Sequence, residues 1–142
     1  MRVCLDSNVF IAIKDKEANA PACEKIVDAI ENKQMEGVVS TIVLSEVEVG
    51  YYMNKEYSDA QAFAIKITTE YVFIPVLDDV AIEGAKIRAL TGMRLPDALI
   101  SATAQKTQCD YLITTDIPLF KKSKYKVISP TDFASQLLLD PD

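Results

Sequence analysis

The chain contains no histidine, and that absence excludes a wide range of chemistry. Without an imidazole, Ser-His-Asp and Cys-His nucleophilic schemes, histidine-based general acid–base nucleases and histidine-ligated zinc hydrolases are out of reach. Any hydrolysis must rest on carboxylates and a hard metal ion. Cysteine is scarce too: Cys4, Cys23 and Cys109 are odd in number, widely spaced and never in a CxxC pair. Neither a disulfide framework nor a thiolate zinc site is suggested. They are expected to be reduced and to pack as small hydrophobes. Long apolar runs are missing as well, so no segment is expected to enter a membrane as a span. Residues 1–5 meet the acid Asp6 before an apolar signal region can form, which leads to the expectation of a cytoplasmic protein.

What is present is enough for a globular fold. A length of 142 residues and 49% hydrophobic content suit one domain with a sizeable core, expected over residues 1–142 without repeat, linker or low-complexity stretch. The formal net charge of −6 argues against unspecific attraction to a phosphate backbone. An acidic metal site would account for several of those charges and be neutralised by the ion it binds. A basic strip, Lys121, Lys122, Lys124 and Lys126, stands out locally and reads equally as a solvated loop.

Short apolar runs and helical spacings alternate along the chain. Val3, Cys4 and Leu5 form a strand that stops at Asp6, and Val9, Phe10, Ile11 and Ile13 then recur at helical spacing. A second helix is predicted over residues 20–32 with Pro21 at its first position, followed by a strand at Val38, Val39 and Ser40 once Gly37 has released the chain. A helix from Thr41 to about Met53 and another begun by a capping box at Ser58-Asp59-Ala60-Gln61 make a helical hairpin. A third strand at Val72-Phe73-Ile74 precedes a helix with Asp78 as N-cap, running to Leu90 and ended by Gly92. Pro96 opens the next helix, through Lys106. Strands at residues 111–113 and 126–128 follow, and Ser129-Pro130-Thr131-Asp132 launches a last helix through Leu139, after which a frayed tail is expected. Such alternation predicts an α/β fold: a short parallel sheet of about five strands, flanked by helices in a three-layer arrangement.

In open parallel sheets, ligands bind beyond the carboxyl ends of the strands, so acids placed there carry the most weight. Asp6 follows the first strand and Asp116 the fourth, although each alone would serve equally as a helix N-cap or turn residue. Glu46 has Ile42, Val43, Val49 and Gly50 as its helical neighbours, a costly place for an unpaired carboxylate; Glu48 is similarly flanked. Asp97 lies in the first turn of a helix, where the dipole favours an acid whatever its role. Together these acids would repel one another unless a divalent cation sat between them. Mg²⁺ or Mn²⁺, one ion or two, suits all-oxygen ligation and would activate water for attack on a phosphodiester. Ser7, Asn8 and Thr114 are placed to orient the carboxylates. Tyr51 and Tyr52 can stack on bases, or belong to the core or a subunit contact.

Leu5-Asp6-Ser7-Asn8-Val9, Ser45-Glu46, Leu95-Pro96-Asp97-Ala98-Leu99-Ile100-Ser101-Ala102 and Thr114-Thr115-Asp116, in this order and on this alternation, resemble the PIN-domain nucleases, and among them the VapC-type toxin ribonucleases. The resemblance covers essentially the whole chain. It implies a PIN-like fold, with Asp6, Glu46, Asp97 and Asp116 as the catalytic and metal-holding acids, and Asn8 and Thr114 on positions the family usually fills with these residues. It also implies an RNA substrate, a homodimer, and a small antitoxin that inserts a segment, often basic, into the acidic groove. Ser7 where Thr is common, Thr115 where Arg or Asn is common, and Leu119 where another acid often stands are departures that bear on substrate contact and a second metal. A housekeeping RNA-processing enzyme and a non-cutting scaffold are the related alternatives. A phosphoacceptor receiver domain would want adjacent acids after the first strand and a Lys after the fifth, and neither is present.

Overall fold

The computed structural model describes residues 1–139. Five strands, β1 (Arg2–Leu5), β2 (Glu36–Ser40), β3 (Val72–Ile74), β4 (Tyr111–Ile113) and β5 (Val127–Ile128), form one sheet in the order β3-β2-β1-β4-β5. All neighbours are parallel, with Val3 facing Gly37 on one side and Tyr111 on the other. Val3, Cys4, Leu5, Val38, Val39, Leu112 and Ile113 are fully buried, as the near-continuous apolar runs of a parallel sheet covered on both faces require.

The helices are α1 (Ser7–Lys14), α2 (Ala20–Glu31), α3 (Thr41–Met53), α4 (Tyr57–Glu70), α5 (Asp78–Thr91), α6 (Leu95–Lys106), the short α7 (Ile117–Phe120) and α8 (Pro130–Leu139), with a 3₁₀ turn at Lys121–Ser123. The chain moves outward from β1 through β2 to β3, then jumps back across β1 to β4. Right-handed crossovers therefore lay α1 to α4 on one face and α5 and α6 on the other. The packing agrees: α6 lies over β1, β2 and β4, whereas α8 returns to α2. Direction reverses between β1 and β4, so the crevice at a topological switch point opens at their carboxyl ends. Asp6 and Thr114 are the first residues beyond those ends.

Several local expectations shift. β2 begins at Glu36, with Gly37 inside it; a Cβ there would stand 2.7 Å from the Ile30 side chain and 2.9 Å from Tyr71, so the strand needs glycine to pass under α2. α4 starts at Tyr57, and Ser58 does not cap it: its N-cap is Glu56, without a side-chain bond. Leu77 precedes α5 in the cap position, and Asp78 is the first helical residue. Gly92 ends α5 in the left-handed conformation, φ +75°. Ser129 Oγ does accept from the Asp132 N–H at 3.1 Å to start α8. The tail after Leu139 lies outside the described residues. Among the described residues, no helix is long and apolar enough to cross a membrane.

Candidate active site

Asp6 ends β1 and caps α1 in the same step. Its extended backbone lets Oδ1 accept from the Ser7 N–H at 2.8 Å, which satisfies one of the donors every helix leaves free. Oδ2 accepts from Asn8 Nδ2 at 2.8 Å and from the Thr114 hydroxyl at 2.8 Å. Thr114 Oγ1 in turn accepts from Asn8 Nδ2 at 3.2 Å and from the Asp116 N–H at 3.0 Å, filling both its lone pairs and its single donor. Asn8 Oδ1 closes the network by accepting from the Thr115 N–H at 3.1 Å. The loops after β1 and β4 are thus locked to each other through one carboxylate, one amide and one hydroxyl.

Two further acids come from helices that start at the same edge. α3 begins beyond β2, where Ser40 Oγ accepts from the Ile42 N–H at 3.1 Å, and carries Glu46. α6 brings Asp97 in its first turn, after Pro96. Asp6 and Asp97 are each only 4% exposed. Burial pushes the Asp6 carboxyl up to about 6; the Thr114 and Ser7 hydrogen bonds pull it back, and the charges of Glu46 and Asp97 add to the rise. Burial also raises Glu46, the Ser7 hydroxyl eases that, and the Asp97 charge adds to it. Three carboxylates therefore feel one another.

Asp116 stands apart from these three. It is exposed, its Oδ1 accepts from the Leu119 N–H at 3.4 Å to cap α7, and its link to the others runs through its backbone and Thr114. Glu48 is separated from them as well. Only burial raises it, and its charge falls instead on Tyr51. Lys126 leaves the basic strip to lie over the Tyr111 ring, 4.6 Å from its centroid. Tyr51 packs against Phe63 and Tyr52 against Tyr57, which ties Tyr51 to the core it borders.

Arg94 is a participant that the sequence reading passed over. It is the N-cap residue of α6, and its Nε donates to Asp97 Oδ2 at 2.9 Å. The spacing of three residues across a helix start was its available signal.

A divalent cation fits this donor set. Every candidate ligand is a hard carboxylate oxygen; Glu46 Oε1 is buried without a hydrogen-bond partner, as is Glu48 Oε2 away from the cluster, and such a carboxylate is costly unless a cation meets it. Among the described residues, no three of these side chains converge closely enough to make a finished cage. The residues offer hard oxygen donors without a preformed cage.

Residues 3–124 match the family described as PIN domain. No curated protein matches the sequence. Among solved structures, a toxin–antitoxin complex from Klebsiella pneumoniae is 24% identical, with 90% of this chain and 97% of that one covered and a TM-score of 0.65. VapBC2 from Rickettsia felis, bound to a DNA fragment from its promoter, is 16% identical over 91% and 98%, with a TM-score of 0.73. VapBC-1 from nontypeable Haemophilus influenzae is 17% identical over 92% and 99%, with a TM-score of 0.72. At these identities the likeness is one of fold.

Proposed function

Since the chain belongs to the PIN-domain family, whose members are generally nucleases, we propose that it is a metal-dependent endoribonuclease and the toxin of a toxin–antitoxin pair. The observation that supports the reading is that Asp6, Glu46 and Asp97 lie within reach of one another's charge beside the switch point of the sheet, Asp6 and Asp97 both buried. Asp6, Asp97 and Glu46 would hold one Mg²⁺ or Mn²⁺, and Asp116 would serve a second ion from the rim. Such an ion supplies Lewis acidity at a phosphate oxygen and an acidified water. Asn8 and Thr114 fix the Asp6 carboxylate, while Ser7 steadies both Asp6 and Glu46. With no histidine in the chain, proton movement falls to the carboxylates and to water.

The partner belongs to the same reading. The fold neighbours include complexes of toxins with antitoxins, and a net charge of −6 suits an inhibitor that inserts a basic segment among the acids. The working form is a cytoplasmic homodimer of single-domain chains spanning residues 1–142. Purified chain, freed of any partner, is expected to cleave single-stranded RNA with Mg²⁺ or Mn²⁺, to stop with EDTA, and to lose at least about a hundredfold in rate as Asp97→Asn. No cleavage with either metal, or an Asp97→Asn variant as fast as wild type, would defeat the proposal.

A further inference from the structure

A guanidinium stands beside the acids proposed above to hold a metal ion. Arg94 Nε lies 2.9 Å from Asp97 Oδ2, yet the Arg94 side chain is 74% exposed and that of Asp97 only 6%. Nothing else fixes the guanidinium: among the described residues the Arg94 side chain makes no other hydrogen bond or ion pair. Its charge also acts on Glu46 and Asp6. The acid is therefore held rigidly by α6 and the sheet, while the base reaches over it from solvent at the helix entrance, where it can swing away at little cost.

We propose that Arg94 is a built-in counter-cation of the acid cluster, occupying Asp97 until a divalent ion displaces it. It is a positioning residue for Asp97, neither a ligand nor a catalytic residue. The proposal rests on the metal-dependent reading above. Three carboxylates brought together without compensation would strain the fold, and one guanidinium relieves part of that with a single charge and a hydrogen bond. A divalent ion offers two charges and direct oxygen ligation, so it wins the exchange once its concentration suffices. While Arg94 is present, however, the ion must break an existing pair and approach a like charge. Removing the arginine should thus have opposite effects on the two states: the metal-free protein weakens and metal affinity rises. A residue that merely supported the site would give lower affinity when removed.

The test compares wild type, Arg94→Gln, Arg94→Lys and, as a control for net charge, Lys25→Gln on the opposite face. Mn²⁺ binding is followed by the electron paramagnetic resonance signal of free Mn²⁺, and thermal unfolding is recorded in EDTA and in Mn²⁺. Arg94→Gln is expected to bind Mn²⁺ roughly tenfold tighter, to melt lower than wild type in EDTA, and to gain more from added Mn²⁺. Arg94→Lys keeps the charge and should stay close to wild type, as should Lys25→Gln. Equal or weaker Mn²⁺ binding by Arg94→Gln, or the same tightening by Lys25→Gln, overturns the exchange. If wild type binds Mn²⁺ and cuts RNA while Arg94→Gln binds no tighter, this inference alone fails. If wild type binds no Mn²⁺, the metal-dependent reading fails and takes this one with it.

Discussion

Asp6 accepts three hydrogen bonds, enough in water to keep a carboxylate strongly acidic, yet burial and two neighbouring acids push it from 3.8 up to about 6. Desolvation wins at this residue, and that has a consequence for stability. The folded chain holds the Asp6 proton more tightly than the unfolded chain does, so the group favours folding below about pH 4. The contribution is lost as pH rises through about 6, an amount on the order of 3 kcal/mol. Metal-free Asp6→Asn, which carries no charge at any pH, should therefore gain stability relative to wild type between pH 4 and pH 7. Thermal melts in EDTA across that range check this; a difference that did not change with pH would refute it. The single residues of the site were unevenly legible. Asp6 and Thr114 could be read because strand ends are visible in the sequence. Glu46 and Glu48 could not be told apart by their apolar neighbours, since what separates them is whether Asp97, some fifty positions away, faces the side chain. Arg94 is exposed and ordinary until Asp97 is seen to be buried beneath it.

At the scale of elements, the crevice depends on how closely α5 and α6 pack, because α6 carries Arg94 and Asp97 at its entrance. Gly84 on α5 makes the approach possible: a Cβ there would stand 2.5 Å from Leu99 Cδ2, 3.2 Å from its Cγ and 3.4 Å from its Cα. An alanine can be taken up by turning the end of Leu99, but a branched side chain meets the backbone. Gly84→Val should cost about 1–3 kcal/mol through overpacking, read as a lower urea midpoint, with Gly84→Ala milder; an unchanged Gly84→Val midpoint would contradict the close contact. This contact lay beyond sequence reasoning, which finds elements but not the distance between them. The five strands were visible as short apolar runs between turns. Helix ends were less so. Gly92 marks the end of α5, but Lys16, Lys33, Lys55 and Gln108 take the left-handed conformation after α1, α2, α3 and α6, with no glycine to announce them. At the start of α4, the Glu56 N–H bonds back to Tyr51 O at 2.8 Å while Glu56 O already receives the Ala60 N–H. The backbone turn between helices sets the boundary there, overriding the capping signature at Ser58. Four-residue α7 is too short for any periodicity to show.

Over the whole molecule, a formal charge of −6 opposes the polyanion that the proposed enzyme must bind, and the arrangement of charge decides how it does so. At physiological salt, screening acts over about 8 Å, so distant acids matter less than the cations nearest the crevice. Lys121, Lys122 and Lys124 follow Asp116 and α7 directly, on the 3₁₀ turn and the left-handed residue after it, and all are exposed. Lys126, engaged with Tyr111, belongs to the fold instead. If Lys121, Lys122 and Lys124, which make no ion pair among the described residues, contact phosphates, each releases counterions from single-stranded RNA, and replacing all three with Gln should flatten the dependence of log affinity on log salt by about 2. Binding is best measured by fluorescence anisotropy on the chain with its acids intact, with Ca²⁺ replacing Mg²⁺ so that the RNA stays uncut. Affinity should fall at low salt while the melting temperature stays near that of the parent, since these side chains bury little. An unchanged slope would assign the strip to a solvated loop. Attraction to RNA would then have to come from the metal-filled acid cluster alone, and binding would vanish with EDTA at every salt concentration.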